Sequence, residues 1–217
     1  TLSTEELKLD RINNQAFYNK KGIIVDSSST LTSDVGRYFI AEKKYRFLSN
    51  VKISNPQYIV NSNQLDYYTE LNKAYLLGES KIEGDNYTIN CKNGFYDLEN
   101  EKGFFKKNAI LYYGNKIIKG DSLYFESKKD YAAATRNVSI FDSINNSIIK
   151  GHYAELFKAK DSAVVTKKAL SINLIDKDTL FISAVTLLAT WPNKQRIIRA
   201  LEVSISSNTP YSSFLNT

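Results

Sequence analysis

The sequence has no methionine, one cysteine, one histidine and one tryptophan in 217 residues. Each scarcity excludes something. The lone Cys91 can form no disulfide within the chain, a usage that suits the cytosol and equally a bacterial envelope protein built without disulfides. One Cys and one His cannot assemble a zinc site from the usual ligands, so no metal is expected. There is no glycine-rich phosphate loop and no GxGxxG, so no cofactor is expected. No stretch reaches the roughly 18 apolar residues of a membrane helix. The nearest, Thr179 to Trp191, is shorter and broken by Ser183, Thr186 and Thr190. No signal peptide is visible, and a start at Thr1 without any Met reads as a processed or trimmed product.

What is present favours strands. The 15 Tyr and 11 Phe are too many aromatics for a solvated tail, and Tyr, Phe, Val, Ile and Thr suit a pleated sheet. The net charge of +6 attracts anions in general, so its placement matters more than its size.

Internal repetition organises most of the chain. LTSDVGRYFIAEKKYRFLSNVKI from Leu31 aligns with VNSNQLDYYTELNKAYLLGESKI from Val60, INCKNGFYDLENEKGFFKKNAIL from Ile89 and IKGDSLYFESKKDYAAATRNVSI from Ile118. A fifth copy starts at Ile149 and a looser sixth at Ile182. A small residue anchors each copy: Ser33, Ser62, Cys91, Gly120, Gly151 and Ala184, at steps of 29, 29, 29, 31 and 33 residues. Five residues later four copies carry an aromatic: Tyr38, Tyr67, Tyr96 and Phe125. Three copies also carry Asn before a small apolar residue: Asn50-Val51, Asn108-Ala109 and Asn137-Val138.

Each copy reads as two alternating strands joined by a polar turn, with one face buried and one wet. The turns are expected at Ala41–Lys44, Glu70–Lys73, Glu99–Lys102, Ser127–Asp130 and Ala159–Ser162. One hairpin cannot bury its apolar face alone, but stacked copies cover one another. Leu2–Leu9 is the one short helix candidate, or equally a first edge strand. Residues 1–30 are expected to form an N-terminal edge segment, and the Ser- and Asn-rich 206–217 a frayed tail.

The runs LTSDVGRYF, VKISNPQYIVNSNQLDYYTE, CKNGFYDLEN and IKGDSLYF with NVSIFDSINN resemble the OstA-like family. That family includes the periplasmic lipopolysaccharide-transport protein LptA and the N-terminal domain of its outer-membrane partner LptD. The resemblance covers roughly Leu31 to Ala189. It implies one all-β domain over 1–217, a twisted open β-jellyroll of stacked antiparallel strands. It also implies a non-enzymatic role in the periplasm, carrying lipopolysaccharide through its lipid A chains towards the outer membrane. The implied partners are other bridge proteins that join by edge-strand pairing, with a head-to-tail homo-oligomer as one form. The sixth copy departs from the pattern, with Ala184-Val185-Thr186-Leu187 where the fourth has Gly120-Asp121-Ser122-Leu123, and with Trp191-Pro192 in its turn.

Two sets of residues are candidates for lipid. The interior columns are Leu31, Phe47, Val51, Ile53, Val60, Leu76, Ile82, Ile89, Phe105, Ile118, Val138, Ile140, Ile149 and Ile182. Between open walls they form an acyl trough; between closed walls they are a core, and the chain is a structural scaffold working through its edges. The turn lysines, Lys43, Lys44, Lys73, Lys102 and Lys129 with Lys128, Lys160 and Lys194, align as a basic ridge. They are either head-group contacts or solvated turns that discourage edge aggregation. They lie at turns without aromatics interleaved on a flat face, so nucleic acid is not an expected partner.

Catalytic readings fail. Gly120-Asp121-Ser122-Leu123 spells the GDSL of a lipid-ester hydrolase family, but the only His, His152, lacks the upstream Asp such enzymes use. Cys91 reads as a small packed side chain. Trp191-Pro192 is either a partner contact or a plug at the end of the stack.

Overall fold

The computed structural model describes residues 1–26, 28–175, 178–191 and 197–200. The chain divides into two compact units, Thr1–Leu111 and Tyr112–Thr217. The described regular structure is antiparallel β apart from two one-turn 3-10 segments, Ser127–Lys129 and Lys158–Lys160, as the strand-rich composition requires.

The first unit begins with six short strands: β1 (Leu2–Thr4), β2 (Lys8–Asp10), β3 (Gln15–Tyr18), β4 (Gly22–Val25), β5 (Thr30–Ser33) and β6 (Val35–Phe39). The long strands β7 (Lys44–Asn55), β8 (Tyr58–Tyr68), β9 (Lys73–Gly84), β10 (Tyr87–Asp97) and β11 (Lys102–Tyr113) follow. Strand β7 shows how short and long strands relate. Its first half pairs with β6, from Phe39↔Lys44 to Val35↔Leu48, and its second half with β5, from Thr32↔Lys52 to Thr30↔Ser54. So β5 and β6 are two arms of one bent rung. In the same way β3 pairs with β6 and β4 with β5, while β2 and β1 pair with β3 and β4. The edge segment 1–30 therefore adds two rungs that the repeat alignment left out. Leu2–Leu9 takes the strand alternative and not the helix: it carries β1 and the start of β2.

The second unit continues with β12 (Lys116–Glu126), β13 (Tyr131–Asp142), β14 (Ser147–Phe157), β15 (Ser162–Ile175), β16 (Asp178–Thr190) and β17 (Ile197–Ala200), each pairing with the next.

The turns lie at 40–43, 69–72, 98–101, 127–130 and 158–161. Four fall one residue before the expected position; Ser127–Asp130 coincides. The reason is the left-handed residue that closes each turn: Lys43, Asn72, Glu101, Asp130 and Asp161 all have positive φ. Lys44, Lys73, Lys102 and Ser162 then already belong to strands.

Each long rung bends at mid-length, as jellyroll strands do. In β7, β13 and β15, two successive residues adopt positive φ: Ser49-Asn50, Arg136-Asn137 and Lys167-Lys168. They stand opposite one residue of the partner strand, because the register jumps from Leu48↔Gln64 to Val51↔Ser62 and from Thr135↔Tyr153 to Val138↔Gly151. This is a bulge, which bends its strand and strengthens the local twist. Asn tolerates the left-handed region better than most residues, which explains the Asn50, Asn108 and Asn137 column. Strand β9 reaches the same bend through Gly78, at φ 100°.

Candidate functional site

The candidate trough follows from this register. In the first unit Ile24, Leu31, Ile53, Val60, Ile82 and Ile89 stand opposite one another on successive strands. In the second unit Ile118, Ile140, Ile149, Ser171 and Ile182 do the same. Phe47, Val51, Ile53, Val60, Leu76, Ile82, Ile89, Phe105, Ile118, Val138, Ile140 and Ile149 are all buried, and Leu31 and Ile182 are half-buried. The columns chosen from the sequence thus lie on the inner faces of the two units.

The sequence reading missed a second set. Past the bend the even-numbered long strands change parity: Ser62 and then Leu65 face inward, as do Gly120 and then Leu123, or Ala184 and then Leu187. Strict alternation cannot cross a bulge, so Leu65, Leu123, Leu156 and Leu187 escaped notice. The repeat itself carried the signal, because the third residue after each anchor is Gly36, Leu65, Gly94, Leu123, Ala154 and Leu187.

The two interiors are filled differently. Aromatic rings fill the first. A Cβ on Gly22 or Gly36 would lie 2.3 Å from the Tyr18 ring, and one on Gly103 would lie 2.5 Å from the Phe105 ring. Tyr18 pairs with Ser33 at 2.7 Å and Tyr87 with Tyr96 at 3.2 Å, hydroxyl to hydroxyl. Burial pushes the Tyr58 phenol up to about 12, and Tyr96 further. The second interior is rich in alanine, with Ala132, Ala134, Ala154, Ala163, Ala169 and Ala189 buried.

The bend leaves backbone carbonyls without ladder partners, and the small anchors satisfy several of them. Ser33 donates to the Val35 carbonyl at 3.1 Å, Ser62 to Gln64 at 2.7 Å, and Ser80, opposite Ser62, to Gly78 at 3.1 Å. On the solvent side of these serines runs a polar groove of about 820 Å3, whose walls include Lys21, Lys52, Lys81, Lys92, Glu79 and Asn61.

Cys91 occupies the same column, and burial pushes its thiol up to about 11. At pH 8 only about one such thiol in a thousand is ionised, and the thiolate is the reactive form. Alkylation by iodoacetamide is therefore expected to run more than about a hundredfold slower in the folded protein than in urea. Equal rates by mass spectrometry would show that the small-residue column is open to solvent. Burial favours the neutral thiol in the folded state, so its contribution to stability is lost as pH rises past the unfolded thiol value.

Residues 1–63 match the family of OstA-like proteins. This segment is OstA-like. The crystal structure of LptH from Pseudomonas aeruginosa, the LptA homologous periplasmic component of the lipopolysaccharide transport device, is similar over 45% of this chain and 74% of that one, with 13% identity and a TM-score of 0.41. No curated protein matches the chain. The family resemblance read from the sequence is borne out, and the match includes residues 1–30, which the repeat alignment had set aside.

The OstA-like segment contains Lys43 and Lys44 of the expected basic ridge. Lys43 is exposed and pairs with Glu70; Lys44 is buried, pairs with Glu42 and lies over the Phe39 ring at 4.7 Å. Beyond it, Lys73 and Lys102 are half-buried, with Lys73 5.8 Å from the Phe95 ring, and exposed Lys129 pairs with Glu126 at 2.9 Å. Lys194 and Pro192 lie outside the described residues. The Ser122 hydroxyl faces that of Thr135, and His152 is exposed on β14. Trp191 is half-buried with the Lys116 ammonium 4.3 Å from its ring centre, and Lys116 also reaches Asp161 at 2.8 Å. Among the described residues no three His, Cys, Asp or Glu side chains gather as a metal site, and no helix is long and apolar enough to cross a membrane.

Proposed function

We propose that the protein is a non-enzymatic lipopolysaccharide carrier of the periplasm, holding acyl chains between the walls of its bent sheet. The observation that carries this reading is the inner rows: six apolar residues stand opposite one another in the first unit, and four, interrupted by Ser171, in the second. Each acyl methylene moved from water into such a row contributes about 0.8 kcal/mol, so a long chain needs no special residue. The alanine-rich second unit is the better host, because small side chains leave more room as its walls part. The sugar head stays in water, within reach of Lys43, Lys73 and Lys102 in the first unit or Lys129 in the second, while Lys44 is buried. Neighbouring bridge proteins, or further copies of the chain, join by pairing with edge strands.

A second reading has its own support. Phe47, Leu76, Ile82, Phe105 and Ile118 are almost inaccessible, as in a closed core, and a closed core makes the chain an assembly scaffold. Photo-crosslinking separates the two. An aliphatic diazirine side chain at Ile140 is expected to label lipopolysaccharide strongly, and one at exposed turn residue Ile144 weakly. A folded, abundant protein that forms no adduct from position 140 supports the scaffold.

A further inference from the structure

We propose that the outer face of one wall of the second unit docks onto a membrane surface carrying anionic lipid. A sheet with one face on a core keeps its other face polar. Here it does not. Outward-facing Ile117, Phe141, Ile148, Ile172 and Phe181 stand directly opposite one another on β12 to β16. At the usual strand spacing this apolar row is about 19 Å long. Ile117, Phe141, Ile148 and Ile172 are half-buried; Phe181, at the end of the row, is 63% exposed, with Leu174 and Val185 beside it at 57% and 61%. The corresponding outward row of the first unit, Thr30, Ser54, Ile59, Glu83 and Thr88, is mostly polar. The opposite wall of the second unit is mixed on its outside: Tyr131 and Tyr153 both donate to Glu155 at 2.7 and 2.8 Å, beside half-buried Phe157, Val164 and Leu188, and it carries no apolar side chain as exposed as Phe181.

Charge selects the occupant. Lys119 and Lys150 lie in the next outward row, and Arg136, Lys167 and Lys168 lie on the bulges beyond it; all five are exposed. None of the five forms an ion pair among the described residues, whereas the turn cations Lys43, Lys129 and Lys158, and Lys116 at the start of β12, all do. Asp121, on the same strand as Lys119, accepts from Asn137 at 3.0 Å. An apolar row bordered by unpaired cations matches a lipid leaflet, whose acyl boundary takes the Phe and Ile side chains while its anionic head groups meet the lysines. A water-soluble acidic partner would leave the apolar row uncovered.

The test uses the whole chain and vesicles of phosphatidylcholine with or without phosphatidylglycerol, read by co-sedimentation. Binding is expected only with phosphatidylglycerol, and it should fade at high salt. Each cation near an anionic surface is worth about fivefold in binding, so Lys150→Glu with Lys168→Glu should weaken it at least about 25-fold. Phe181→Ser should weaken it several-fold without a change of charge. Lys52→Glu with Lys92→Glu, an equal charge change in the first unit, should leave it nearly intact. The proposal is overturned by absence of vesicle binding. It is equally overturned by equal losses in the two charge-reversal pairs, or by a dimer in sedimentation that Phe181→Ser dissolves, which would make a second copy the occupant.

Discussion

Phe105→Ala is expected to lower the unfolding free energy of the first unit by about 3–5 kcal/mol, the cost of deleting a buried ring and leaving its cavity. The ring is fully buried. It lies against Tyr96, with centroids 6.4 Å apart, and over Gly103, where an added Cβ would sit 2.5 Å from its Cζ. Gly94 is equally committed, because a Cβ there would lie 2.6 Å from the Phe104 carbonyl oxygen. Few rearrangements can fill the void, since neighbouring backbone forms part of its wall. Urea unfolding gives the magnitude, and hydrogen exchange resolved by peptide assigns it to residues before Leu111. A loss below about 1 kcal/mol would mean that the interior is not close-packed. That result would favour walls with slack for acyl chains over a scaffold.

Gly151→Val is the second large effect, expected to cost about 3 kcal/mol, the upper end of the range for overpacking. A Cβ at Gly151 would lie 2.5 Å from Val165 Cγ1 and 3.1 Å from the Thr166 carbonyl oxygen. The Val side chain can turn or be trimmed; the carbonyl, in the β14–β15 ladder, cannot. Val165→Ala should therefore rescue part of the loss, with a coupling that a double-mutant cycle measures. Full tolerance of Gly151→Val would reduce the small-anchor column to coincidence. The two substitutions probe close packing in different units, one by removing volume and the other by adding it.

The inner rows were legible because a strand buried on one face alternates, and a repeat shows the same alternation several times. Ile53, Val60, Ile82 and Ile89 needed only their spacing from the anchors. Leu65, Leu123 and Leu187 did not emerge, because the bulge changes parity and no local rule announces it. The Asn50 and Asn137 columns were visible, but their meaning was not: they are the left-handed residues at which the rung bends. The turn lysines were found as a group, yet Lys44 proved to be the first residue of a strand and buried. One left-handed residue per turn moved the boundary.

The sequence by itself determined the strand-rich class, the repeat of about 29 residues, the small anchors and the OstA-like character. These are local properties, written in spacing and side-chain type. Only the tertiary structure decided what stands opposite what. Ile117-Ile118, Ile140-Phe141 and Ile148-Ile149 are adjacent apolar pairs in the chain; the repeat picked Ile118, Ile140 and Ile149 as the inner members but did not show that their neighbours share a row. The register of neighbouring strands sends Ile118, Ile140 and Ile149 into the core and lines up Ile117, Phe141 and Ile148 outside. Side chains on a strand point alternately to opposite faces, so a shift of one residue would exchange the two rows. The outward apolar stripe came with the same pairing that closed the interior.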